Sequence, residues 1–380
     1  MTITAIITLL LITTTTATTT TTLPSDISAL KAIKSAINPS TIPSYSCLGS
    51  WNFTSDPCAN PHITHFLCGF SCSSNRITQL TFDRIGYSGT LSPLISKLTQ
   101  LVTIDLSENK FTGPIPMSLF TLPNLQTLIL RSNSFSGSIP PSISNLKSLE
   151  TIDISHNSIS GTLPDSFSSL IMITRIDLSF NKLTGSIPKL PKNLLELAMK
   201  SNMLSGNLLK NSFSELAQLE VVELSENLFT GTIPGWFFLQ PSLQQVNIAN
   251  NGFTGIEIFK GVDSNLVAVD IGYNKIGGYL SGNFTAYPVL SSLSLRYNQL
   301  HGPIPAEYSK KTTLKRLFLD GNYLSGLPPK EFFTGKSSVS GSLGDNCLKS
   351  CPTSSQLCLK SQKPSSICQQ AYGGKVKPKS

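Results

Sequence analysis

Leu101 to Pro116 reads LVTIDLSENKFTGPIP, and this stretch decides the fold. Its frame of Leu101, Ile104, Leu106, Asn109, Phe111, Gly113, Ile115 and Pro116 returns as Leu125, Leu128, Leu130, Asn133, Phe135, Gly137, Ile139 and Pro140. It returns again as Leu290, Leu293, Leu295, Asn298, Leu300, Gly302, Ile304 and Pro305. The Asn recurs at 109, 133, 157, 181, 202, 227, 251, 274, 298 and 322, mostly 24 residues apart. A degenerate first copy runs through Ile77, Leu80 and Phe82, with Ile85 in place of the Asn. About eleven copies therefore span residues 76–330, and a fixed period of this size marks a stacked, solenoid architecture.

Each position in the frame has a physical task. Ile104 and Leu106 are two apart, so both face one side of a short strand while Asp105 faces the other. The Asn carries an amide donor and a carbonyl acceptor without charge, and suits a turn leaving the strand. Gly and Pro punctuate the return segment. One copy cannot stand alone. Burying about six apolar side chains gives roughly 1.5–3 kcal/mol each, against about 1–2 kcal/mol for ordering each of some 24 backbone residues. Stacking on neighbouring copies must supply the difference.

The frame LxxLxLxxNxFxGxIP resembles the plant-type extracellular leucine-rich repeat. The resemblance covers about two thirds of the chain. It implies an α/β solenoid, a right-handed superhelix with a concave parallel β-sheet, in which GxIP adds a second, smaller strand and a twist. Residues 25–75 look like the family's N-terminal cap. They contain DISALKAIKSAI (Asp26 to Ile37), with apolar residues at helical spacing, then SWNFTSDPC and GFSC. There are departures: the copy ending at Asn202 is three residues short, and the copies at Gly255 and Gly278 lack Ile-Pro.

The cysteines bracket the array. Cys47, Cys58, Cys68 and Cys72 precede it; Cys347, Cys351, Cys358 and Cys368 follow it, in a C-terminal cap over 331–370. Four in each cap read as two disulfides each, sealing apolar ends that a small cap cannot otherwise stabilise. Three pairings per cap remain open. His62 and His65 among the first group give a spacing that zinc also fits, but an oxidising compartment favours disulfides and no metal.

That compartment follows from the start of the chain. MTITAIITLLLI and the Thr-rich run after it read as a signal peptide over 1–24, although no Lys or Arg precedes the apolar stretch. No later segment has the apolar length of a transmembrane helix, and the C-terminal KVKPKS is no lipid-anchor signal. The expected product is secreted to the extracellular space or cell wall. Asn52-Phe53-Thr54 and Asn283-Phe284-Thr285 are then N-glycan acceptors.

Charged residues make up only 13% of the chain, about half the usual share, which excludes a charged coiled coil or charge-rich disorder. Of the net charge of +8, residues 331–380 hold +5, so no basic face marks a nucleic-acid partner. The basic tail, 371–380, offers salt-sensitive attraction to acidic wall polysaccharide.

Solenoids bind along the concave face. Asp153, Asp177, Glu220, Glu223 and Glu226 form an acidic patch suited to a cationic ligand, although D-L-S before the Asn is common scaffold sequence in the resembled family. Better candidates are residues that break the scaffold pattern: Arg131, His156, Phe180, Tyr273, Arg296, Tyr297 and Phe318, with Glu223 from the acidic patch. Exposed aromatics and Arg are what binding hot spots use. Tyr273, Arg296 and Tyr297 lie on adjacent copies and are expected to cluster. Phe237 aligns with core Leu119, whereas Trp236 aligns with Ser118 and is a candidate for exposure. No hydrolase, phosphate-binding, zinc-protease or kinase motif is present, and the four His are scattered, so neither an enzyme nor a cofactor is expected.

The expected function is a secreted, non-catalytic binder of a protein or peptide ligand, acting in extracellular signalling or defence with a membrane receptor kinase as partner. A second expectation is inhibition of a microbial wall-degrading enzyme, because the array resembles the polygalacturonase-inhibiting proteins in repeat length and caps. A third is a structural wall-associated role, since DNCLKSCP to QKPSSIC resembles the cap of secreted wall leucine-rich repeat proteins.

Overall fold

The computed structural model describes residues 21–59, 68–334 and 339–373. The predicted leader up to residue 20, His62, His65 and the tail Lys375 to Ser380 lie outside the described residues.

Thirteen short strands form one sheet in strict chain order. The first two, Gly69–Ser73 and Arg76–Thr81, pair antiparallel; every later pair is parallel. Strands of three residues suffice because each contributes one inward side chain in register with the next coil. Ile104, Leu128, Ile152, Ile176, Leu197, Val222, Val246, Val269, Leu293 and Leu317 make one continuous buried row. On the opposite side, 3-10 turns bring Leu119, Ile143, Phe167, Phe237 and Phe284 into the same core. Trp236 is half-buried and packs on Phe213 and Phe237.

The asparagines satisfy the backbone that the turns leave open. Asn181 Nδ2 donates to the carbonyls of Ile154 (3.0 Å), Leu178 (3.1 Å) and Ser179 (3.2 Å), while its Oδ1 accepts from Ile159 N (2.9 Å). One side chain thus closes its own turn and binds the preceding coil. The pattern repeats along the array and continues at Asn346, beyond the ten asparagines counted in the sequence. The strand Ser340–Ser342 joins the sheet there.

The departures from the frame have structural consequences. The short copy keeps its register in the main sheet, Ile176 facing Leu197, and loses length on the other side, where no 3-10 turn forms between Gly185 and Glu196. The second, lateral strands form an eight-stranded sheet that ends at Gly252–Ile256 and a four-stranded sheet that begins at Gly277–Tyr279. The break falls between the two copies that lack Ile-Pro.

The N-terminal helix runs Pro24–Ser35, two residues earlier than its apolar spacing predicts, and buries Ala29, Leu30 and Ile33. Asp26, fully buried, holds Arg76 at 3.0 Å and accepts from Ile77 N. Trp51 sits edge-on to Phe53, Phe70 and Phe82. Thr22, which the sequence reading gives to the leader, is buried in this cap, and its N–H donates to Asp56 (2.8 Å). The disulfides pair Cys47 with Cys68, Cys58 with Cys72, Cys347 with Cys368 and Cys351 with Cys358, resolving the pairing that spacing leaves open. Every cysteine is thereby a disulfide rather than a zinc thiolate.

Candidate functional site on the concave sheet

The outward residue that ends each strand serves the scaffold first. Asp105, Asp153, Asp177, Glu223, Asn247 and Asp270 each accept a hydrogen bond from the N–H two residues on, at 2.9–3.1 Å. Such a local bond fixes the chain as it leaves the strand. Glu223 also accepts from Asn247 Nδ2 at 2.8 Å. The aspartates of the acidic patch are therefore turn-formers, and burial raises the Asp153 carboxyl above its ordinary value.

The residue before each ladder Asn has a left-handed backbone. Phe180 (φ 55°), His156 (φ 52°), Tyr273 (φ 53°) and Tyr297 (φ 51°) occupy it alongside Ser132 and Asn250. Bulky side chains are disfavoured there, by roughly 1–2 kcal/mol. An aromatic in that place is not explained by backbone preference, and its ring is held at the rim of the concave face.

The candidates fall into two groups. Toward the N-terminus, Arg84, Glu108, Arg131 and Asp153 form a chain of ion pairs (3.0, 3.0 and 3.9 Å). His156 and Phe180 stack at 4.1 Å, with Lys200 Nζ 5.7 Å from the Phe180 centroid. Toward the C-terminus, Tyr273 and Tyr297 stack at 4.7 Å. The Arg296 guanidinium lies over Phe318 at 4.3 Å and 3.3 Å from Asp320, which is fully buried. Lys360, from the C-terminal cap, bonds both Asp320 and the Tyr297 hydroxyl, and these partners raise its pKa.

Between Glu223 and Phe318 the sheet forms an open groove of about 420 Å³. Glu223, Arg296 and Phe318 line it, with Asn247, Asp270 and Ser294 along its floor. Two groups here are buried without a hydrogen-bond partner in the protein: Ser294 Oγ and Arg296 Nε. Both atoms are closed off from the groove's solvent, as are Ser107 Oγ and Ser225 Oγ elsewhere in the array. The sequence reading missed the outward column two residues earlier, Gln245, Ala268, Ser292 and Arg316, which the same strand alternation would have shown. No local pattern announces Lys360, which reaches the rim through the cap. Asn52 is exposed, whereas Asn283 is half-buried and its Nδ2 donates to Ile258 O (2.8 Å).

Comparison with known proteins agrees with this architecture. The family described as Leucine rich repeat matches residues 123–183, and a further Leucine Rich Repeat family matches 100–122 and 313–334. Leucine rich repeat N-terminal domain matches 23–64. The fold is a leucine-rich repeat solenoid. Among solved structures, PEPR1-AtPEP1 superposes with a TM-score of 0.78 at 31% identity, over 86% of this chain and 46% of that one. The plant peptide hormone receptor RGFR1 in complex with RGF2 gives 0.66 at 30%, over 73% and 45%. A 51-residue stretch is 39% identical to the LRR receptor-like serine/threonine-protein kinase GSO2 of Arabidopsis thaliana, covering 13% of this chain and 4% of that protein. The solenoid thus spans less than half the length of each. No helix among the described residues is long and apolar enough to cross a membrane.

Proposed function

We propose that this solenoid is an extracellular, non-catalytic recognition module that binds an extended peptide across the strands from Val221–Glu223 to Arg316–Phe318. The observation that carries the reading is the open groove of about 420 Å³ across these strands, lined by Glu223, Asp270, Arg296, Arg316 and Phe318. An extended peptide fits across successive strands, and the groove's Asp270 and Arg316 suit side chains of either sign. The four disulfides suit an oxidising exterior. Likeness to PEPR1-AtPEP1 and to the plant peptide hormone receptor RGFR1 in complex with RGF2 supports a peptide as the ligand. Signalling would then run through a membrane-bound partner kinase.

The test is recovery of secreted peptides on the immobilised full chain, identified by mass spectrometry. Arg296 is a poor residue to remove, because it faces buried Asp320. Asp270→Asn combined with Arg316→Ala alters the groove at its surface. That variant should lose the bound peptides at least about tenfold, the effect of about 1.4 kcal/mol. Equal recovery on variant and unaltered protein, or none on either, rejects the reading.

A further inference from the structure

A second groove lies away from the concave face, where the C-terminal helix Ser365–Gly373 crosses the four-stranded lateral sheet. Its volume is about 510 Å³, and it is lined by Gln299, His301, Tyr323, Ile367, Gln370 and Tyr372 together with Ala371. The sheet positions its rings. Tyr279 pairs with His301 and His301 with Tyr323 across adjacent parallel strands, so three aromatic side chains stand in one lateral row. Neighbouring strands are about 4.8 Å apart, and Tyr279 and His301 have ring centroids 4.6 Å apart. Tyr372 closes the row from the helix, 6.4 Å from His301 and edge-on.

The rings are fixed in place. The Tyr372 hydroxyl accepts from Gly302 N (3.0 Å) and donates to Tyr323 O, so one side chain ties the helix to two strands. The Cys347–Cys368 disulfide ties it to a third. The Tyr279 ring lies against Gly302, where a Cβ would meet its Cδ1 at 2.5 Å. Yet Tyr279 is 72% exposed. Beside it, a Cβ at Gly277 or Gly278 would meet nothing within 4 Å, so the row is open from the side where the lateral sheets break.

We propose that this groove binds a neutral oligosaccharide. No Lys, Arg, Asp or Glu lines it, although Lys363 Nζ lies 5.3 Å from the Tyr323 ring centroid, and this lining favours a neutral ligand. Flat rings carry negative faces, and the C–H face of a pyranose presents weakly positive hydrogens to such a face. Sugar hydroxyls both donate and accept. The Gln299 amide on the sheet and the Gln370 amide on the helix do the same. A row of rings at strand spacing matches a ligand built of repeating rings. Tyr372 is already tied to two strands, so holding its ring on binding costs little ordering entropy. It is separate from the concave groove and rests on different residues, so both can be filled together.

Calorimetric titration of the full chain with cellohexaose, mannohexaose and xylohexaose, with hexagalacturonate as the charged control, tests the assignment. At least one neutral hexasaccharide should bind at concentrations up to about 10 mM. Tyr279→Ala, at an exposed ring, should weaken it about tenfold or more, and Gln370→Ala on the exposed helix face should weaken it too, both without lowering the melting temperature. Asp270→Asn with Arg316→Ala should leave it unchanged, which separates this site from the concave one. The proposal is overturned if no neutral hexasaccharide binds, if only hexagalacturonate binds, or if binding survives both Tyr279→Ala and Gln370→Ala.

Discussion

Lys360 Nζ sits 2.9 Å from Asp320 Oδ2. Through this contact the C-terminal cap grips the array, because Asp320 lies two residues past the strand Arg316–Phe318 and is fully buried. The same ammonium bonds the Tyr297 hydroxyl (3.0 Å) and lies over its ring at 5.3 Å, so the cap also sets the rim of the candidate groove. Lys360→Met should leave Asp320 with Arg296 as its remaining cation. The expected loss is about 1–2 kcal/mol, the scale of a hydrogen bond to a charged group discounted for the exposed lysine. Denaturant unfolding measures it; an unchanged midpoint would show that the cap does not hold this carboxylate.

The asparagine ladder makes a sharper demand. Asn227 Nδ2 donates to the carbonyls of Met199, Leu224 and Ser225, and its Oδ1 accepts from Leu204 N. Asn227→Ala strands those groups, each costing about 1–3 kcal/mol when buried and unpaired. Asn227→Asp keeps the acceptor but turns a carboxylate toward three carbonyl oxygens. It should unfold at lower temperature than Asn227→Ala at pH 7, although it is the smaller change in shape. The reverse order would mean the donor side of the ladder carries little.

Asp153 gives a pH signature. Burial, with the nearby Asp177 charge adding to it, raises this carboxyl above its ordinary value, while the Ser155 bonds and Arg131 oppose the shift. The folded state therefore disfavours the ionised form. No such penalty exists below the ordinary value of about 3.9, and it grows as pH rises through the raised value. Asp153→Asn keeps an acceptor for Ser155 N and removes the charge. Its melting temperature should exceed that of the unaltered protein at pH 7, with the gain vanishing near pH 3. A gain independent of pH would assign the effect to something other than ionisation.

The N-terminal cap constrains processing of the proposed leader. Thr22 N donates to Asp56, and Cys58 N donates to Thr22 Oγ1 (2.9 Å). A cut after residue 24 would strand those partners. The amino terminus of the secreted product, read by intact mass, should fall at or before Thr22. A mature chain starting at Ser25 would show these contacts dispensable.

The solenoid was legible because its information is local and repeated. Two apolar residues two apart, an Asn and a Gly specify one coil, and the period specifies stacking. Even the missing Ile-Pro at Gly255 and Gly278 coincides with the break in the lateral sheets. Candidate rim residues were legible for the same reason: Tyr273 and Tyr297 share a register position, and stacked coils bring register partners together.

The sequence by itself determined the coil, every copy but the last one at Asn346, and the presence of two cysteine caps. Only the tertiary structure decided which cysteines pair, that the acidic column is spent on turns, and that Lys360 reaches Asp320 from 40 residues away. It also decided that His301, Tyr323 and Tyr372 converge on one groove with Tyr279 beside it. The reason is physical: a period fixes neighbours along the stack, whereas the way a cap folds back over its last coils depends on packing and cross-links that no repeating unit encodes.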